Sequence, residues 1–160
     1  MNASINSSSY SQPTTSAGFT LIELMVTVAI MAIIVSIAAP NISTQLANQR
    51  VKGTTATLVN ALKEAKVESV IRRQIVTVSF NNNGTGTGSI ELKANSNAVA
   101  TYRYDAKITI KATGDVKFKP NKTADEMTYT ICDSNTAASP RQVSVSKLGN
   151  ITSQLAGSCT

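Results

Sequence analysis

Few residues in this chain of 160 could do chemistry, and they fall into three groups. One acid, Glu23, stands inside an apolar run from Phe19 to Ala39 that contains no Gly, Pro, Lys, Arg or Asp. Two cysteines, Cys132 and Cys159, stand late in the chain. Seven bases crowd the stretch from 107 to 147: Lys107, Lys111, Lys117, Lys119, Lys122, Arg141 and Lys147. A carboxylate held in hydrocarbon costs about 3 kcal/mol when unpaired, so Glu23 either snorkels to the interface or has a cationic partner. Clustered lysines attract phosphates and other anions.

The same inventory excludes histidine chemistry. The chain has no His, no Trp and two Cys, which removes most acid–base catalysis at neutral pH and the common zinc ligand sets. No nucleophile, base and orienting group can be placed together, so we expect no enzyme, no metal and no cofactor. All 15 Lys and Arg lie at or beyond Arg50 together with eight of the nine acids, leaving a net +7 from that point on. Such a balance can attract nucleic acid or anionic surfaces, and it also serves solubility.

The elements that must position these groups follow from periodicity. As a helix, Phe19 to Ala39 would be roughly 31 Å long, enough to cross a hydrocarbon core of about 30 Å. Residues 1–18 are rich in Ser, Asn and Thr, with Pro13 and no apolar core of their own. From 40 to 73 the pattern turns amphipathic, with Ile42, Leu46, Leu58, Leu62, Ala65 and Ser69 on one stripe and Val51 and Val59 beside it. Gly53 and Thr54-Thr55 mark a soft spot in that helix.

Beyond Arg73 the period falls to two. Strands are expected over 74–80, 89–93, 98–104, 107–112, 115–119, 127–132 and 142–146, with 81–88 a turn-rich loop and Gly114-Asp115 a tight turn. The glycines of that loop lack the following helix and Lys-Ser or Lys-Thr pair of a phosphate-binding loop. One long helix followed by six or seven short strands reads as an α+β fold, with 74–160 a β-rich globular domain.

Gly18-Phe19-Thr20-Leu21-Ile22-Glu23-Leu24 resembles the processing site of type IV pilins and type II secretion pseudopilins. The resemblance implies a pilin-like fold and a leader, 1–18, cut by a prepilin peptidase after Gly18 and followed by methylation of the new terminal Phe19. The family's glutamate, fifth after the cut, matches Glu23, and its proline at position twenty-two of the processed chain matches Pro40. Phe19, Glu23 and Pro40 are then assembly residues. The new ammonium of one subunit pairs with the Glu23 carboxylate of its neighbour in low dielectric, and Pro40 kinks or loosens the helix as it leaves the membrane. A polar leader preceding a retained apolar segment distinguishes this signal from a secretory one; the lack of Lys and Arg departs from the usual family leader.

The resemblance extends to the carboxyl-terminal part. Glu64 through Arg73 followed by Ile75-Val76-Thr77-Val78 is similar to the helix-to-strand junction of the FimT, FimU and GspH group of minor pilins and pseudopilins. Ile131-Cys132-Asp133, then Arg141 through Ser146, Gly149 and Cys159, is similar to its carboxyl end. The implied localisation is the bacterial inner membrane, single-pass with the domain in the periplasm, then a pilus or pseudopilus. The implied partners are major and minor pilins or pseudopilins, the inner-membrane assembly platform and prepilin peptidase. In a segment exported past the membrane, Cys132 and Cys159 are most simply a disulfide, with two buried thiols the alternative.

FimT-like members bind DNA in natural transformation through a Gly-Arg-x-Arg motif. Here the corresponding residues are Gly149-Asn150-Ile151-Thr152, so both arginines are absent. An independent basis for DNA binding is alternation. If Gly114 closes a hairpin, Lys107, Lys111, Lys117 and Lys119 share one face, with Lys122, Arg141 and Lys147 near it. Function is then read as priming or capping a type IV pilus, with the equivalent secretion pseudopilin and a DNA-binding competence pilin as alternatives.

Overall fold

The structure is a computed structural model that describes residues 18–84 and 86–159, without the side chains of 38–40. A single helix, α1 (Leu21–Arg72), precedes eight strands. They are β1 (Val76–Asn81), β2 (Gly88–Ala94), β3 (Asn97–Tyr104), β4 (Ile108–Lys111), β5 (Val116–Phe118), β6 (Met127–Asp133), β7 (Arg141–Val145) and β8 (Ile151–Leu155). Contacts divide the chain into two units, Met1–Ala38 and Ala39–Thr160.

In the first unit nothing covers the helix. Phe19, Leu21, Ile22, Leu24, Met25 and the apolar residues on to Ile37 are exposed. The hydroxyls of Thr27 and Ser36 donate to the carbonyls of Leu24 and Ile33, so neither depends on outside partners. By length and composition no single described helix passes as a membrane span; Leu21–Ile37 and Asn41–Arg72 pass together as a broken pair. The side chain of Pro40, on which the expected kink rests, lies outside the described residues.

In the second unit the helix buries one stripe: Ala47, Val51, Thr54, Thr55, Leu58, Ala61, Leu62, Ala65 and Ser69. Ile42 and Leu46, expected on that stripe, are both 54% exposed, because the covered length begins only at Ala47. The expected soft spot is regular helix; Thr55 Oγ1 donates to Val51 O at 2.7 Å, which satisfies its hydroxyl within the core. The helix ends in a Schellman arrangement. Arg73 takes a left-handed φ of 53°, and Gln74 N–H donates to Ser69 O at 3.3 Å.

Against this stripe lie two four-stranded antiparallel sheets, ordered β3-β2-β1-β5 and β4-β6-β7-β8. Their inner faces supply Val76, Val78, Ile90, Leu92, Val116 and Phe118 from the first sheet and Ile108, Ile110, Tyr129, Ile131, Val143 and Val145 from the second. Gly88 faces Tyr104, whose ring would lie 2.2 Å from any Cβ placed there. Asn82 joins the sheets by pairing with both backbone groups of Ile110, at 2.8 and 2.9 Å, while its Oδ1 lies 2.7 Å from Tyr104 Oη.

The fold is thus the expected helix on an antiparallel β domain, with two corrections. There are eight strands among the described residues rather than six or seven, the added one being β8. Its Ile-Thr-Ser-Gln-Leu sequence lacks apolar alternation, because almost none of the strand is buried. The hairpin expected at Gly114 does not form: β4 pairs with β6 and β5 pairs with β1, so the segment between them carries the chain from one sheet to the other.

Candidate processing site and basic surface

The segment before α1 is built around a helix cap. Thr20 Oγ1 accepts the N–H of Glu23 at 3.3 Å, and Thr20 O accepts that of Leu24 at 3.2 Å. Thr20 is therefore the N-cap and Glu23 the third helical residue, the positions of a capping box. The Glu23 carboxylate also sits in the first turn, where the helix dipole favours an anion. The sequence carries the signal for this cap as Thr20-x-x-Glu23. Because the cap fixes the helix start, Gly18 and Phe19 stay outside it; Phe19 is 83% exposed and nothing lies within 4 Å of Gly18's Cβ position. The Gly18–Phe19 peptide is thus exposed and stands just before the helix.

The two cysteines form a disulfide, Cys132–Cys159, with Cα atoms 5.7 Å apart and a sequence separation of 27. Cys132 points from the outer face of β6, and the bridge brings the chain after β8 back across that face. Gly157 packs there against Thr130 and Gln142, and Lys111 Nζ donates to Cys159 O at 3.2 Å.

The next residue, Asp133, turns inward and meets Arg50 of the helix. Arg50 Nε donates to Oδ2 at 2.8 Å and Nη2 to Oδ1 at 3.1 Å, while Asn135 N–H also donates to Oδ1 at 2.8 Å. The Asp133 side chain has 0% exposure. Burial pushes its pKa up, but the bonds from Arg50 and Asn135 and the nearby charges of Arg50 and Lys107 outweigh that and hold it below the ordinary value. The Asp133 bond in turn raises the Arg50 pKa against the effect of burial. This pair was not anticipated, since no periodicity links residues 83 apart.

The bases proposed as one surface are spread over four places. Lys107 and Lys111 are exposed at the β4 edge of the second sheet, and Lys117 lies on the outer face of the first. Lys119, Lys122 and Lys147 gather at the loop end. There Lys119 lies 3.7 Å from Asp125 and Lys147 lies 3.9 Å from Glu126, so two of the three have counterions. Arg141 is half-buried on β7, opposite Leu155. Gly149, where the FimT-like motif would begin, is buried with a φ of +67°; a Cβ there would stand 2.7 Å from Lys122 O. Its carbonyl accepts Lys66 Nζ at 2.8 Å.

Comparison with known proteins bears on the amino-terminal segment and on the fold. Residues 14–39 match the family model of the prokaryotic N-terminal methylation motif. No curated protein matches the chain. Among solved structures, the type IV minor pilin FimU of Pseudomonas aeruginosa superposes with a TM-score of 0.54 at 20% identity, covering 66% of this chain and 89% of that one. A second crystal form of FimU gives 0.52 at 20% identity, covering 64% and 91%. The minor pseudopilin EpsH of the Vibrio cholerae type 2 secretion system gives 0.54 at 8% identity, covering 66% and 97%. The chain joins a prokaryotic N-terminal methylation motif to the fold of the minor pilins and pseudopilins.

Proposed function

We propose that the chain is a minor pilin, cut after Gly18, methylated on Phe19, and incorporated at low copy to prime or cap a type IV pilus. The observation that carries this reading is the exposed Gly18–Phe19 peptide standing just before a capped helix, within residues that match the methylation motif. In this reading residues 19–39 hold the chain in the bacterial inner membrane until assembly, with the β domain in the periplasm. Its role is structural: it assembles with other pilins on the inner-membrane platform.

Mass spectrometry of the chain from cells with and without prepilin peptidase tests this. The expected amino terminus is N-methylated Phe19 with the peptidase and uncut chain without it; uncut chain in both strains overturns the proposal.

A secretion pseudopilin is the second reading, favoured by the fold match to EpsH, which is as close as that to FimU. Crosslinking in cells separates the two, since a pilus and a secretion apparatus contain different subunits. The DNA-binding reading keeps the individual lysines but loses the hairpin that would have aligned them.

A further inference from the structure

Three of the four sheet edges carry a charge that discourages another strand: Lys111 on β4, Arg103 on β3 and Lys117 on the three-residue β5. The fourth, β8, carries none. Ile151 to Leu155 has no charge, no Pro and no break in its register with β7, and Thr152, Ser153, Gln154 and Leu155 are exposed. Ser146 N–H donates to Asn150 O at 2.9 Å, which sets the phase of the hairpin. By antiparallel alternation, Thr152 and Gln154 exchange bonds with β7, while Ile151, Ser153 and Leu155 direct their N–H and C=O groups away from the sheet.

Beside this free edge lie two hollows lined by bases. One hollow between α1 and β8 is lined by Lys52, Arg141 and Leu155, and another by Lys63, Lys66 and Ile151. Lys52 to Lys63 spans about 16 Å of helix and Ile151 to Leu155 about 13 Å of strand, so the two hollows lie at the two ends of the same strip between helix and strand. No Asp or Glu lines either end, and among the described residues none of the four bases is paired with a carboxylate.

We infer that β8 and the hollows beside it receive an extended, acidic polypeptide segment of a partner protein, added as a fifth strand with alternate carboxylates facing Lys52, Lys63, Lys66 and Arg141. The free backbone groups supply main-chain pairing and the four bases select the side chains. A nucleic acid offers no match to outward N–H and C=O groups at strand spacing. No aromatic residue lines either hollow to stack a base.

The test places a photo-crosslinking benzoyl-phenylalanine at Gln154 of the full-length chain in its native cells, and maps the crosslinked peptide by mass spectrometry. The expected product is one short segment of one protein, bearing Asp or Glu at alternate positions. Ser153→Pro removes an outward N–H and leaves the β7 ladder intact, so it should lower the yield at least tenfold; Lys63→Glu should do the same. Ser153→Ala, which keeps the N–H, should leave the yield unchanged. Circular dichroism of the purified variants confirms that each is folded. The inference is overturned if the product is nucleic acid, if the segment lacks carboxylates, if no product forms, or if folded Ser153→Pro crosslinks as well as Ser153→Ala.

Discussion

Glu23 is asked to do two things, and a pair of substitutions separates them. As the third residue of a capped helix it supports the start of α1; as a carboxylate it pairs, in the proposed assembly, with the Phe19 ammonium of a neighbour. Glu23→Gln keeps a capping-box side chain and removes the charge. If charge pairing sets register, Gln and Ala both lower incorporation into sheared filaments at least tenfold while membrane insertion is retained. Wild-type incorporation of the Gln variant would assign Glu23 to capping alone. Arg50 poses a different question, because its partner Asp133 is buried. Arg50→Ala leaves that carboxylate without its guanidinium and should cost about 3 kcal/mol in urea unfolding. The sign with pH follows from the lowered Asp133 pKa. The stabilisation is present above the ordinary carboxylate value of 3.8 and is lost as pH falls below it through the folded value. Wild-type stability should therefore drop below about pH 4, and Arg50→Ala should show a shallower acid limb.

At the level of elements, the end of α1 offers a stabilising change. Arg73 holds a left-handed φ of 53° where Gly is the usual residue. Arg73→Gly relieves a penalty of about 1 kcal/mol, partly offset by the greater freedom of Gly in the unfolded chain. A net gain of about 0.5 kcal/mol is expected in thermal unfolding, and a loss would show that the Arg73 side chain holds something the backbone does not. The helix end itself was legible, because the period changes from 3.6 to 2 at Arg73 as one buried stripe gives way to alternating sheet faces. Seven of the eight strands were legible for the same reason. β8 was not: a strand with neighbours on one side and little packed on its inner face has no burial pattern to imprint. The β4–β5 crossover was also hidden, since two apolar runs joined by Thr113-Gly114-Asp115 read the same whether the chain turns back or changes sheet. At the candidate site, the methylation motif was legible from local spacing, whereas the Arg50–Asp133 pair and the hollows beside β8 depend on contacts across the chain.

For the molecule as a whole, the disulfide decides how the last residues behave. β8 is held by β7 on one side, and the residues after it cross the outer face of the second sheet to Cys132, which is 4% exposed beneath them. Closing a loop of 27 residues should stabilise the chain by about 3.5 kcal/mol through the entropy of the unfolded state. Replacing both Cys132 and Cys159 by Ala removes that closure and leaves no free thiol. Its effect should appear as a fall of about 2 M in the urea midpoint of the β domain. The same fall should follow reduction of the wild-type chain, and the double variant should be insensitive to reductant. If the variant instead unfolds at the wild-type midpoint, strand pairing alone holds β8, and the Cys132–Cys159 bridge serves the tail rather than the fold. Hydrogen exchange at Ile151 to Leu155 distinguishes these outcomes at the strand itself. When the bridge anchors the edge, its amides exchange faster in the variant while those of β6 keep their protection.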